Sequence, residues 1–253
     1  MKVKFLGTGT STGVPEIGCR CEVCTSNNKK DRRLRASVLL TTSGKRILID
    51  CGPDFRQQML DEDFAKLDIV LLTHEHYDHV SGIDDLRPFC KFGDIDIYAN
   101  NRTAGVLMER IPYCFTEIKY PGVPSLNLHK IEEGKPLLIE GMEILPISVM
   151  HYKLPISGYR IGKFAYLTDV KHIPDQEYPK LANLDTLVIN ALRITEHISH
   201  QTLQEALENV RRIAPRQAYF IHMSHQIGLH DEVQQTLPPN IYLSYDGLEI
   251  EVK

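Results

Sequence analysis

Short apolar runs, many of them β-branched, recur along the chain in two series separated by segments of helical period. This alternation limits the possible folds more than any other feature. The first series covers residues 3–6, 37–41, 46–50, 68–73 and 95–99. The second covers 137–139, 143–149, 159–161, 164–168, 186–190, 217–221 and 241–244. Each run has strand length and is punctuated by Gly, Asp or Pro. Helical spacing is clearest over 201–214, where Leu203, Ala206, Leu207, Val210 and Ile213 repeat at intervals of three and four, with Ser199 expected as the N-cap. Further helices are expected over 53–60, after His79, over 103–110 and over 177–184. No Gly/Ser linker, low-complexity tract or internal repeat separates the two series. Residues 1–253 therefore read as a single layered α/β domain.

The chain has 253 residues, 42% of them apolar, enough for a substantial core. With 29 basic and 33 acidic side chains its net charge is −4, and a basic stripe of the kind that binds long nucleic acid is not expected. The apolar runs are far shorter than the roughly 20 residues of a membrane span. Residues 1–6 reach Gly7 too soon for a secretory apolar segment, so a cytoplasmic, reducing location is expected. In such a compartment six cysteines serve as metal ligands or core residues rather than as disulfides.

The densest chemistry is the run Thr73-His74-Glu75-His76-Tyr77-Asp78-His79. Along extended backbone His74 and His76 project to one side. A helix starting near Asp78 would turn Asp78 and His79 back toward that side, so one run could serve two adjacent metal ions. Other metal-competent side chains stand at the carboxyl ends of expected strands: His151 after 144–149, Asp169 after 164–168 and His222 after 218–221. Imidazole and carboxylate donors together suit zinc, iron or manganese. A second cluster, Cys19-Arg20-Cys21-Glu22-Val23-Cys24, offers three thiolates to one tetrahedral zinc, and His225, three residues beyond His222, is a candidate fourth ligand. Such a closed site is structural and would tie the loop near 18–25 to the C-terminal part of the fold. Cys51, Cys90 and Cys114 lie singly in apolar surroundings and read as core residues.

The H-x-H-x-D-H run, followed at long intervals by His151, Asp169 and His222, resembles the metallo-β-lactamase-fold hydrolases. That resemblance implies a four-layer αββα sandwich and two catalytic divalent metals, manganese or zinc, with iron also admitted. It implies that His74, His76 and His151 hold one metal, that Asp78, His79 and His222 hold the other, and that Asp169 bridges them. Asp50, at the end of an expected strand, matches a position that supports the first motif. Gly7-Thr8-Gly9, the C-x-C-x-x-C cluster and His222-Met223-Ser224-His225-Gln226 are similar to the PhnP phosphodiesterase group, which includes an enzyme acting on a cyclic ribosyl phosphate. This likeness implies that Cys19, Cys21, Cys24 and His225 hold one structural zinc.

Two metal ions about 3.5–4 Å apart acidify a shared water and neutralise charge on a phosphoryl or carbonyl oxygen. A departing alkoxide still needs a proton, and histidine is a natural donor near neutral pH. His200 is the first candidate and His197 the second, and Asp78 joins His200 as a candidate catalytic residue. The expected activity is therefore metal-dependent hydrolysis of a small or cyclic phosphodiester by hydroxide drawn from the metal pair. Alternatives are transfer-RNA 3′ processing, kept open by the basic segment Lys29 to Arg35, β-lactam or thioester hydrolysis, and a non-catalytic PqqB-like carrier. A small phosphodiester partner is expected rather than long nucleic acid or a membrane, and a homodimer is compatible with the chain. Lys153, Arg160 and Arg193 are candidate phosphate contacts that pattern alone does not separate from surface charges.

Overall fold

A computed structural model describes residues 1–116, 122–132, 134–139 and 141–253. Two seven-stranded mixed sheets stack face to face. The first runs β14 (Glu249–Glu251), β1 (Lys2–Gly7), β2 (Ser37–Thr42), β3 (Lys45–Ile49), β4 (Ile69–Leu71), β5 (Ile95–Asn100) and β6 (Leu126–Ile131). The second runs β13 (Ile241–Leu243), β12 (Gln217–Ile221), β11 (Thr186–Asn190), β10 (Phe164–Leu167), β9 (Leu154–Ile161), β8 (Met142–His151) and β7 (Leu137–Ile139). From β3 to β6 and from β10 to β13 the strands are parallel, and the remaining pairs are antiparallel.

Side-chain alternation explains the layers. In β12, Tyr219 and Ile221 face the first sheet, whereas Ala218 and Phe220 turn outward. In β3, Ile47 and Ile49 face inward and Leu48 outward. Both faces are apolar because both are covered, which is why these strands read as continuous runs. Each fully buried Val, Leu, Ile or Phe contributes about 1.5–3 kcal/mol relative to its exposed state. Helix α5 (Leu203–Ile213) covers the second sheet with Leu203, Ala206, Val210 and Ile213. Helices α2 (Phe55–Met59) and α4 (Asn101–Arg110) cover the first. The expected four-layer αββα sandwich is thus borne out.

Local boundaries differ from expectation in places. The N-cap of α5 is Thr202, not Ser199: the Thr202 hydroxyl accepts from Glu205 N, and the Glu205 carboxylate accepts from Thr202 N. This reciprocal box outcompetes a lone serine three residues upstream. Over 177–184 the expected helix is a 3₁₀ segment at Asp175–Leu181, because Pro179 cannot supply an α-helical N–H. Strands β6 and β14 were not anticipated. In β6 polar Asn127, His129 and Lys130 interrupt the apolar pattern, and β14 contributes a single apolar residue, Ile250, opposite Val3. No helix among the described residues is long and apolar enough to cross a membrane.

Candidate metal centre

The carboxyl ends of the parallel strands meet at one rim of the sandwich, where loop residues are free to adopt special backbone conformations. Asp50 follows β3, Asp169 lies two residues beyond β10, and His222 follows β12. All three are non-glycine residues with positive φ, at 63°, 56° and 57°. One left-handed residue turns each chain sharply as it leaves its sheet. Such strain is tolerated where the surrounding structure over-determines it, commonly at functional sites.

The H-x-H-x-D-H run leaves β4 and enters α3 (Tyr77–Val80). Close backbone packing locks its far end. A β-carbon on Gly52 would lie 2.1 Å from the Asp78 carbonyl oxygen, and one on Gly82 would lie 2.0 Å from that of Gly52. Cys51 N donates to the His79 carbonyl and Gly82 N to that of Cys51. Substitution at either glycine would push α3 off the turn that carries Asp50.

Two donor sets result. Potential ligand atoms of His74, His76 and His151 lie within 4.8 Å of one another, as do those of Asp78, His79, Asp169 and His222. In the second set His79 Nε2 is 3.2 Å from both Asp78 Oδ2 and Asp169 Oδ2, while His222 Nε2 is 3.4 Å and 3.3 Å from Asp78 Oδ2 and Asp169 Oδ1. Outer partners fix the rings. His79 Nδ1–H donates to Asp50 Oδ2 across 2.7 Å, and Asp50 also accepts from Thr73 N and Thr73 Oγ1. His151 Nδ1–H donates to the Ser199 carbonyl across 2.9 Å, which leaves its Nε2 as a ligand atom.

The electrostatics fit a cation. Burial disfavours charge on His79, yet Asp78, Asp169 and Asp50 together raise it well above the ordinary histidine range. Burial likewise opposes ionisation of Asp169, but His222, His79 and His200 hold it well below the usual carboxylate value. His74, driven far down by burial and then by His79, is neutral, and its buried Nε2 has no hydrogen-bond partner. Unpaired buried nitrogens are costly in a finished core. Here His74 Nε2 faces His76 and His151, and the equally unpartnered His79 Nε2 faces Asp78 and Asp169, donor sets suited to divalent ions, so the residues present fit two such ions.

His200 connects the two sets. Its ring centroid is 4.6 Å from that of His151 and 5.0 Å from that of His222, and its Nδ1 is 3.6 Å from Asp169 Oδ1. Burial drives His200 down to about 3 against the pull of Asp169. An anion beside it would oppose that drop. His197 stands farther out, its ring 5.1 Å from His200. Arg160 is tied to the Gly162 and Lys180 carbonyls, and Arg193 to the Thr195 and Glu196 carbonyls and Gln226. Lys153, by contrast, lines a cavity shared with His76 and His151.

The cysteine cluster is assembled as well. Potential ligand atoms of Cys19, Cys21, Cys24 and His225 lie within 4.8 Å of one another. Burial pushes the Cys24 thiol up to about 12, so a free thiolate there needs a cation. Next to this cluster, Thr10 N donates to the Met223 carbonyl and Met223 N to that of Thr8, stitching the N-terminal segment between His222 and His225. Missed in the sequence was the buried Arg33, whose Nη1 donates to the Ser244 carbonyl and whose Nη2 lies 3.4 Å from His230 Nδ1. Nothing local in a basic segment signals that one arginine is inside.

Comparison with known proteins agrees with this architecture. The β-lactamase superfamily domain model matches residues 45–223. A solved diphosphatase from the PhnP family is 38% identical, covers 100% of this chain and 98% of its own, and superposes with a TM-score of 0.92. The chain belongs to the PhnP family of the metallo-β-lactamase fold. As a PhnP-family protein with assembled donor sets, it is supported as a metal-dependent hydrolase. Exodeoxyribonuclease WalJ of Streptococcus pneumoniae (strain D39) is 25% identical over 268 residues, 94% of each protein. An octanoyltransferase of Porphyromonas gingivalis (strain W83) is 46% identical over 251 residues, 98% of this chain but 51% of its own length. The chain therefore spans about half of that relative.

Proposed function

We propose that this protein hydrolyses small substrates at a phosphorus atom carrying two ester or anhydride links, as in a phosphodiester, a cyclic ribosyl phosphate or a diphosphate. The observation that carries the reading is the place of His200, an imidazole set against both donor sets and beside Asp169, where a proton donor to a departing alkoxide is needed and acyl chemistry at a good leaving group would not require one. The similarity to a PhnP-family diphosphatase supports the same bond class. His74, His76 and His151 would hold one ion and Asp78, His79 and His222 the other, with Asp169 between them. Manganese or zinc bound there would supply Lewis acidity and an acidified water. His200 would hand a proton to the departing oxygen. Asp78 and Asp169 orient His79 and His222, and Ser199 holds His151. Cys19, Cys21, Cys24 and His225 would hold a structural zinc, in keeping with a reducing cytoplasm.

Long nucleic acid is disfavoured as the partner. In the basic segment Arg33 is buried, Arg35 pairs with Asp54 and Lys30 pairs with Asp231, so three of its five cations are already engaged and only Lys29 and Arg32 stay exposed. Acyl hydrolysis is the second reading, favoured by the similarity to the octanoyltransferase, whose activity belongs to a protein about twice as long. The test is a rate comparison on manganese- and zinc-loaded protein. Turnover of bis(p-nitrophenyl) phosphate without p-nitrophenyl octanoate or precursor transfer RNA supports phosphoryl hydrolysis, and preference for the octanoate overturns it.

A further inference from the structure

Beside the candidate centre, a cavity of about 520 Å³ opens from His76 and His151 and is lined further by Arg102, Tyr152, Lys153 and Ile198. No carboxylate lines it among the described residues, and two cations do. Lys153 has no carboxylate partner among the described residues; its ammonium lies 5.3 Å from the Tyr152 ring centroid. Arg102 is anchored by one edge only: Nε donates to buried Glu75 across 2.5 Å, while its side chain is 64% exposed. Tyr152 and Ile198 are 49% and 65% exposed, which leaves apolar surface at the same mouth.

The backbone adds an independent observation. His151 pairs with Leu154, so Tyr152 and Lys153 form a two-residue hairpin loop between β8 and β9. Tyr152 has φ 54°, in a position that hairpin chemistry gives to Gly, Asn or Asp. A bulky side chain there is a steric outlier. Glycine would make the same turn without strain, so the turn itself does not explain the tyrosine. The aromatic ring does, standing next to an ammonium that has no carboxylate partner among the described residues, at the edge of the metal centre.

We propose that Tyr152, Lys153 and Arg102 form a subsite for a second anionic group attached to a planar ring, so that the substrate is of the nucleoside diphosphate or nucleotide diester class. Lys153 and Arg102 would take phosphate oxygens beyond the reacting phosphorus. Tyr152 would stack on the ring, as aromatic side chains do on bases. The subsite deepens the phosphoryl reading above and rests on it for the orientation of the ligand.

Binding separates the two ideas. Manganese-loaded protein is titrated by calorimetry with α,β-methylene adenosine diphosphate, which carries the ring, and with methylenediphosphonate, which lacks it. Lys153→Ala is expected to weaken both about tenfold. Tyr152→Gly is expected to weaken only the nucleotide analogue, by a similar factor, with a melting temperature equal to or above the parent's. Unchanged affinity of Lys153→Ala for both probes overturns the subsite, and so does a melting temperature of Tyr152→Gly more than about 5 °C below the parent's, which would mark the ring as structural. If the binding pattern holds while bis(p-nitrophenyl) phosphate is not cleaved, the hydrolytic reading fails and the subsite stands.

Discussion

His79 and Asp50 are joined by a 2.7 Å hydrogen bond between two fully buried side chains, Nδ1–H to Oδ2, although 29 residues separate them. Asp50 thereby sets the His79 tautomer and aims Nε2 at Asp78 and Asp169. Partners of this kind raise ligand basicity, and losing them typically costs 10–100-fold in metal affinity. Asp50→Asn keeps the left-handed turn, which asparagine tolerates, but removes the charge. Manganese or zinc titration should show affinity for the Asp78–His79–His222 set falling by about that factor. Affinity equal to the parent's would mean that Asp50 is only a turn residue.

His200→Ala separates proton donation from positioning. A p-nitrophenolate leaves with little help, whereas an alkoxide does not. Loss of the donor should slow an alkyl-leaving diester by about 10²–10⁴, and bis(p-nitrophenyl) phosphate much less. Equal slowing of the two substrates would point to a positioning role through Asp169 and His222 instead.

For the cysteine cluster, Cys21→Ser should remove about one zinc per chain while the His/Asp sets keep theirs. At free zinc a hundredfold above its dissociation constant, losing such a site lowers stability by about 3 kcal/mol. Metal analysis and denaturant unfolding on the same preparation check both halves. Full zinc content with parental stability would contradict a structural site.

The Arg33 network predicts two opposing pH dependences. Burial pushes the Asp246 carboxyl up to about 6, while Thr8 Oγ1 and Leu34 N donate to it. Between its ordinary value near 4 and about 6 the folded state holds a proton that the unfolded state has lost, so this group lowers stability as pH rises. Burial, with Arg33 and Lys30 behind it, holds His230 down at about 4. From there to about 6.5 the unfolded state holds the extra proton, and this group raises stability with pH. Relative to the parent, Asp246→Asn should gain stability between pH 4.5 and 6.5 and His230→Gln should lose it, each on the order of 1–2 kcal/mol. Difference curves from urea unfolding that run flat for both variants would rule the linkage out.

Much was legible from local pattern. Strands buried on both faces are long apolar runs, and α5 shows its covering face at intervals of three and four. The ligand runs 74–79 and 19–24 are compact in sequence because one turn of chain can present several donors to one ion. Strand β14 is not legible in the sequence because its one inward residue, Ile250, has no meaning until β1 supplies the partner edge.

Tertiary structure alone decided which distant groups meet. His74, His151, Asp169 and His222 come together because four strands end at the same rim, and strand order is set by pairing between runs that are individually interchangeable. The same packing sets His200 against both donor sets while His197 stands outside, puts Arg33 inside a basic segment, and brings Lys153 but neither Arg160 nor Arg193 to the cavity at His76. Periodicity reports whether a residue is buried. It carries no information about which other residue shares its surroundings, because that depends on long-range contacts whose free energy is gained only when the whole sandwich closes.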